Sequence, residues 1–392
     1  MPPRATRSLA ALSAAAGALS VLFAAPAHAA YSLTKDYSGD SFFDGWEYYG
    51  HYDNLTNGDI DFVNQTDSSD LTYINSAGNA IIKVDNTSSV LYPNKRRSVR
   101  LQSTDNYPIG SLWVFDFLHV PYGCSVWPAA WSQAATWPQG GEIDTFEGVN
   151  LQQRNQMALH TDSGCTAAAS STSNAFSGNL TYNNCDHDVN SNSGCTVTET
   201  NAASYGEAFA AAGGGVWATE FGKDGIKIWF FSRSDVPSDL LTSNSSAIPD
   251  PSNWGTPSAD YSASSCSIPD YFAPQHLVLD ITACGDWAGA AAVINQTCPL
   301  TTDLCYTSFV LDSSNFNTAF FEIPSIRVYS NPDTAANSSA QTTATTTSGT
   351  PGATGSGSGS GGNGAPSLSG SGTAKALAGV VAAAALGAWT LF

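Results

Sequence analysis

The stretch GGEIDTFEGVN, Gly140 to Asn150, sets three carboxylates, Glu142, Asp144 and Glu147, into six residues of otherwise apolar, β-prone sequence. Side chains alternate faces along a strand, so Glu142 and Asp144 share one face, while Glu147, an odd step further on, falls on the other. One extra residue between Asp144 and Glu147, a β-bulge, returns Glu147 to the first face. The stretch is then a strand carrying three acids on one side, with Ile143 and one of Thr145 and Phe146 turned inward.

The flanking sequence supports a β reading. Short runs such as AIIKVD, SVRLQS, SLWVFDFLHV, GIKIWFFS, HLVLDIT and AFFEIPSIRVYS are rich in β-branched and aromatic residues and separated by Gly, Pro, Asn and Asp. Capped helical periodicity is hard to find. About 300 residues of this pattern, with no internal break or repeat, predict one all-β domain, a sandwich of two packed antiparallel sheets. The chain has 392 residues, 42% hydrophobic and 12% charged, enough apolar material for a large core.

Charge excludes one class of partner. With 14 Lys and Arg against 33 Asp and Glu, the net charge is -19 and no phosphate backbone is an expected ligand. The one basic cluster, KRRSVR from Lys95 to Arg100, reads as a solvated loop or strand end.

Both ends read as processing signals. Residues 1–29 carry Arg4 and Arg7, an Ala/Leu/Val-rich run and then Ala27-His28-Ala29, which predicts a secretory signal peptide cleaved before Ala30 or Tyr31. The folded domain is placed at 30–331 and a Ser/Thr/Gly stalk at 332–363. Residues 364–392 are read as the propeptide of a glycosylphosphatidylinositol anchor, in preference to a short transmembrane helix. Seven Asn-x-Ser/Thr sequons, at Asn54, Asn64, Asn86, Asn179, Asn244, Asn295 and Asn337, fit a secretory route to the cell surface or wall. The eight cysteines all lie in the secreted part and predict structural disulfides of unassigned pairing. A zinc site is the alternative, but no CxxC pair occurs and the histidines are scattered. Asp53, Asp59 and Asp61 could hold calcium, but their irregular spacing argues against it. No metal and no cofactor are expected.

Three neighbouring carboxylates on one face cannot all ionise cheaply, so their pKa values should be pushed apart. That is the condition for a glycosidase, in which one carboxylate attacks the anomeric carbon and a carboxylic acid protonates the departing oxygen. On a bulged strand the outer glutamates can converge to roughly 5–5.5 Å, the separation of the retaining mechanism. A solvated acidic edge strand is the competing reading. Against it stand WPAAWSQAATWP upstream, with Trp127, Trp131 and Trp137, and LHT downstream with His160. Aromatic rings beside an acid pair suit the apolar faces of sugars, although a single Trp is more often core.

GEIDTFE, preceded by WPAAW and followed by LHT, GDWAG and FFEIPSIRVY, resembles glycoside hydrolase family 16, in particular its fungal laminarinases and endo-1,3(4)-β-glucanases. The resemblance covers essentially residues 31–331. It implies a concave jelly-roll sandwich with an open glycan cleft, acting as a monomer on β-glucan. It also implies Glu142 as nucleophile, Glu147 as general acid/base and Asp144 as the residue that tunes Glu142. Trp131, Trp137 and His160 fall where the family's cleft residues fall, and Trp287 in GDWAG reads as a rim contact. Arg100 and Asn150 complete the expected substrate-binding set, while Trp217 and Trp229 read as core. Members with the shorter E-x-D-x-E spacing resemble lichenases, xyloglucan transglycosylases and lipid-anchored wall transferases. The longer spacing here matches laminarinases and implies a retaining endo-β-1,3(4)-glucanase. The anchor is also what a wall-remodelling transglycosylase would carry. A non-catalytic glucan-binding protein is disfavoured by retention of all three carboxylates.

Overall fold

The computed structural model describes residues 30–172, 175–241 and 247–335. The expected signal peptide, nearly all of the stalk and the anchor propeptide lie outside the described residues. Just past the expected boundary at 331, the Lys223 N–H donates to the Thr334 carbonyl at 2.9 Å. Among the described residues no helix is long and apolar enough to cross a membrane.

Fourteen strands build two large sheets. In chain order they are β1 (Ser32–Ser38), β2 (Trp46–Tyr48), β3 (Arg100–Ser103), β4 (Ser111–Phe117), β5 (Val126–Ala134), β6 (Glu142–Glu147) and β7 (Gln156–His160). There follow β8 (Asn179–Tyr182), β9 (Cys195–Thr198), β10 (Gly215–Gly222), β11 (Gly225–Ser232), β12 (Ala259–Ser262), β13 (Gln275–Ala283) and β14 (Ser325–Ser330). One sheet has six strands in the order β1-β14-β4-β10-β11-β12; the other has eight, β8-β9-β7-β6-β5-β13-β3-β2, and every pairing within them is antiparallel. The acidic strand β6 is therefore central in the larger sheet.

Alternation explains how the layers close. On β13, Leu277, Leu279 and Ile281 enter the core between the sheets, leaving His276, Val278 and Asp280 on the opposite face. On β4 both faces are buried, which is why SLWVFDF reads as a continuous apolar run. Trp113, Phe115 and Phe117 fill the inter-sheet core, whereas Leu112 and Val114 pack outward with Val216, Trp229, Leu240 and Trp254. Trp217 is fully buried and Trp229 is 3% exposed, so both are core.

The eight cysteines form four disulfides, Cys124–Cys298, Cys165–Cys266, Cys185–Cys195 and Cys284–Cys305. The basic cluster departs from the sequence expectation. Arg96 is fully buried: its guanidinium donates to the carbonyls of Asp85, Ser88, Val310 and Leu311 and lies over the Phe316 ring. Four carbonyl acceptors offset its loss of hydration, so it works as an internal tie rather than a solvated charge. Asp53, in the loop where calcium is disfavoured, likewise accepts from Leu55, Thr56, Gly58 and Thr282.

Candidate active site

The turn into β6 needs glycine. Gly140 and Gly141 have φ of +90° and +74°, and a Cβ on Gly141 would come within 2.4 Å of the Phe272 ring. Behind this turn the chain enters β6 with Glu142 opposite His160 on β7 and Gln133 on β5.

The register then slips. Asp144 pairs with Ala158, and the next pairing is Glu147 with Gln156, so Thr145 and Phe146 together oppose only Met157. Ala158 and Gln156 lie two apart on one face, which puts Glu147 on the face of Asp144. The expected bulge is present. Both candidates for the inward position are buried: Phe146 joins the core, and the Thr145 hydroxyl hydrogen-bonds Thr219 at 2.7 Å.

The same face carries a row of partners from neighbouring strands. Trp137 Nε1 donates to Glu142 Oε2, and its ring meets His187 edge-on. Trp127 Nε1 donates to Glu147 Oε1 at 2.8 Å, and the Trp287 ring lies 5.4 Å from that of Trp127. Asp144, only 2% exposed, faces His160 Nε2 at 3.2 Å, and His160 Nδ1 reaches Asn192 Oδ1 at 3.0 Å. Trp131 Nε1 donates to Asp280 Oδ1 at 3.0 Å. The Arg100 guanidinium lies 5.1 Å from the Tyr49 ring centre and 5.3 Å from that of Trp131.

Asn150 requires correction. Expected at the substrate, it is 1% exposed, with φ of +58°, and its carboxamide accepts from the Ser125 N–H and donates to the Ala288 carbonyl. Both polar ends are spent on backbone, so it fixes loops and leaves the binding set. Trp127, named above beside the acidic strand, and Asp280 and Asn192, which are outside the expected set, lie among the hydrogen-bond partners at this face. Asp280 was legible in HLVLDIT, where the acid alternates with core leucines; Asn192 carried no signal in the sequence.

Crowding and burial set the charges. Burial first, then the Asp144 charge, pushes Glu147 up to about 8; burial and then Glu142 push Asp144 up to about 7. Burial also raises Glu142, partly offset by His160 and the Trp137 hydrogen bond. For His160, burial opposes charge, but Glu142 and Asp144 outweigh it and raise its pKa to about 10. Asp280 rises to about 6, chiefly by burial and against the pull of Arg100. At neutral pH the face thus offers a protonated Glu147 near a Glu142 and Asp144 pair compensated by an imidazolium. Glu142, Asp144 and His160 could also converge on a cation. The His160 contact to Asp144 already supplies the positive charge there.

Residues 46–329 match the family model described as XgeA-like, catalytic GH16 domain. The chain is 38% identical over 302 residues to a probable glycosidase of Schizosaccharomyces pombe, covering 76% of this chain and 69% of that protein. It is 38% identical over 324 residues to a probable endo-1,3(4)-β-glucanase of Neosartorya fischeri, covering 80% of this chain and 48% of that protein. It thus spans about half the length of that glucanase. Among solved structures it is similar to Laminarinase 16A from Phanerochaete chrysosporium, with 6-O-glucosyl-laminaritriose in donor and acceptor sites. Identity is 37% and the TM-score 0.71, covering 77% of this chain and 100% of that one. An elongating family 16 β-1,3-glucosyltransferase is 37% identical with a TM-score of 0.70, covering 76% of this chain and all of that one.

Proposed function

The chain belongs to glycoside hydrolase family 16, and on that premise we propose that it is a retaining endo-β-1,3(4)-glucanase acting on laminarin-like or mixed-linkage glucans. The observation that carries the reading is the two-for-one bulge, which brings Glu147 to the face of Glu142 and Asp144.

In the proposed chemistry, Glu142 attacks the anomeric carbon while Glu147 gives its proton to the departing glycosidic oxygen, leaving an ester between sugar and Glu142. Water then attacks the same carbon, Glu147 takes its proton, and Glu142 leaves as carboxylate. A proton on Asp144 serves Glu142 in the second step: donated in a hydrogen bond, it stabilises Glu142 as the leaving carboxylate. Arg100, Trp131, Trp137, His160 and Trp287 form the proposed glucan contacts, together with Trp127 and Asp280.

A transglycosylase is the second reading, favoured by the likeness to the elongating glucosyltransferase. There a sugar hydroxyl replaces water in the second step. The four disulfides suit an oxidising, extracellular setting. The apolar segment Ala376 to Phe392 is the basis for proposing a lipid anchor at the cell surface.

One preparation tests both proposals. Phosphatidylinositol-specific phospholipase should release the protein from the surface, and the released protein should liberate new reducing ends from laminarin and barley glucan but not from xyloglucan or chitin oligomers. Retention on the membrane would sink the anchor. Absence of new reducing ends on laminarin, with longer oligosaccharides instead, would replace hydrolysis by transfer.

A further inference from the structure

A bulge disrupts its ladder, so the backbone groups around it need partners from elsewhere. One buried side chain supplies two of them here. The Glu147 N–H donates to Asn155 Oδ1 at 2.9 Å, and Asn155 Nδ2 donates to the Thr145 carbonyl at 3.0 Å. Asn155 is fully buried and is held in turn: its N–H donates to Ser204 Oγ at 3.1 Å, and its carbonyl accepts from the Glu199 N–H at 2.9 Å. The chain from Glu199 then leads to Tyr205, whose ring stacks on Phe146 at 5.5 Å, inside the same bulge.

We infer that Asn155 is a positioning residue for the acid/base: its carboxamide clamps the two-residue bulge and so aims the Glu147 carboxyl into the cleft. The inference rests on the proposed role of Glu147. Side-chain direction in a strand changes face with each residue, so a bulge that relaxes by one residue swings Glu147 away from the substrate. Leucine at 155 fills the same space without either hydrogen bond. Ionised aspartate accepts from the Glu147 N–H but turns an acceptor oxygen towards the Thr145 carbonyl; protonated aspartate donates there and restores the clamp.

The test compares kcat/KM on laminari-oligosaccharides, whose leaving oxygen needs a proton, with kcat/KM on a dinitrophenyl β-glycoside, whose leaving group does not. N155L should lose on the order of 10²-fold on the oligosaccharide and less than about threefold on the dinitrophenyl substrate, with the loss in kcat rather than KM. N155D, taken as a ratio to wild type, should show the same split where its buried carboxyl is ionised and approach wild type as the pH is lowered and that carboxyl gains a proton, while the ratio of N155L to wild type stays flat. E147A is the reference. If E147A lost equally on both substrates, the acid/base assignment would fail whatever Asn155 did. If E147A split the substrates and the Asn155 variants lost equally on both, or lost nothing, the clamp would be overturned. Thermal melts establish folding, and should N155L not fold, the ratio for N155D decides alone.

Discussion

Replacing Glu142 by glycine should abolish cleavage of laminarin, a fall on the order of 10⁴-fold or more in kcat, as is usual when a nucleophile is removed. The isolated loss does not identify the role, because any disturbance of so crowded a face would slow the enzyme. Azide identifies it. Glycine leaves a gap below the anomeric carbon where azide fits, so a substrate with an activated leaving group should turn over again and yield the α-glycosyl azide, inverted from the β-linked substrate. The Trp137 hydrogen bond to Glu142 and its pairing opposite His160 and Gln133 place the vacated space on the face that also carries Asp144 and Glu147. A β-azide from Glu142→Gly would exchange the two glutamates' roles.

The Glu147→Ala variant should behave in the opposite sense. Loss of the proton donor should cost roughly 10²–10⁴-fold in kcat/KM on laminari-oligosaccharides and little on a dinitrophenyl substrate. Azide should accelerate the second step and give the β-azide, since it attacks the glycosyl ester from the face that Glu147 vacates. The pH profile carries the same information. Burial and Asp144 raise Glu147 to about 8, so the acid form is present below that pH and wild-type kcat/KM should fall as pH rises through about 8. Glu142 must be ionised, and burial raises it too, so activity should fall on the acid side above the usual carboxylate range. In Glu147→Ala, assayed on the dinitrophenyl substrate, the alkaline limb should vanish and the acid limb remain. An unchanged alkaline limb would assign it to another group.

What the sequence reveals of this fold and site follows the range of each interaction. Period-two alternation within a strand is local, so HLVLDIT and GIKIWFFS are legible as β13 and β11, and the odd step from Asp144 to Glu147 marks the place where a bulge would bring the acids together, which the register shows. SLWVFDF is legible as a strand, but what each of its faces meets is not, because both are buried, against two different clusters. Contacts between distant segments are not legible. Arg96 sits in a basic run that looks solvated, yet its carbonyl partners come from Asp85 and Ser88 on one side and Val310 and Leu311 on the other. Asn150 is three residues beyond the acidic strand and looks like a substrate contact; a left-handed backbone and bonds to Ser125 and Ala288 turn it into the loop core. Asn155 has no motif at all. Its significance exists only once the bulge and the Glu199 to Tyr205 segment are folded against it.

The central claim is that two glutamates on one face of a bulged strand act by two successive inversions. Proton NMR of the first products released from laminarin tests it directly, because the anomeric proton reports configuration before mutarotation mixes the forms. The account predicts that the β-anomer appears first and the α-anomer grows in later at the rate of mutarotation. Initial release of the α-anomer would mean a single displacement by water and would contradict the covalent role of Glu142.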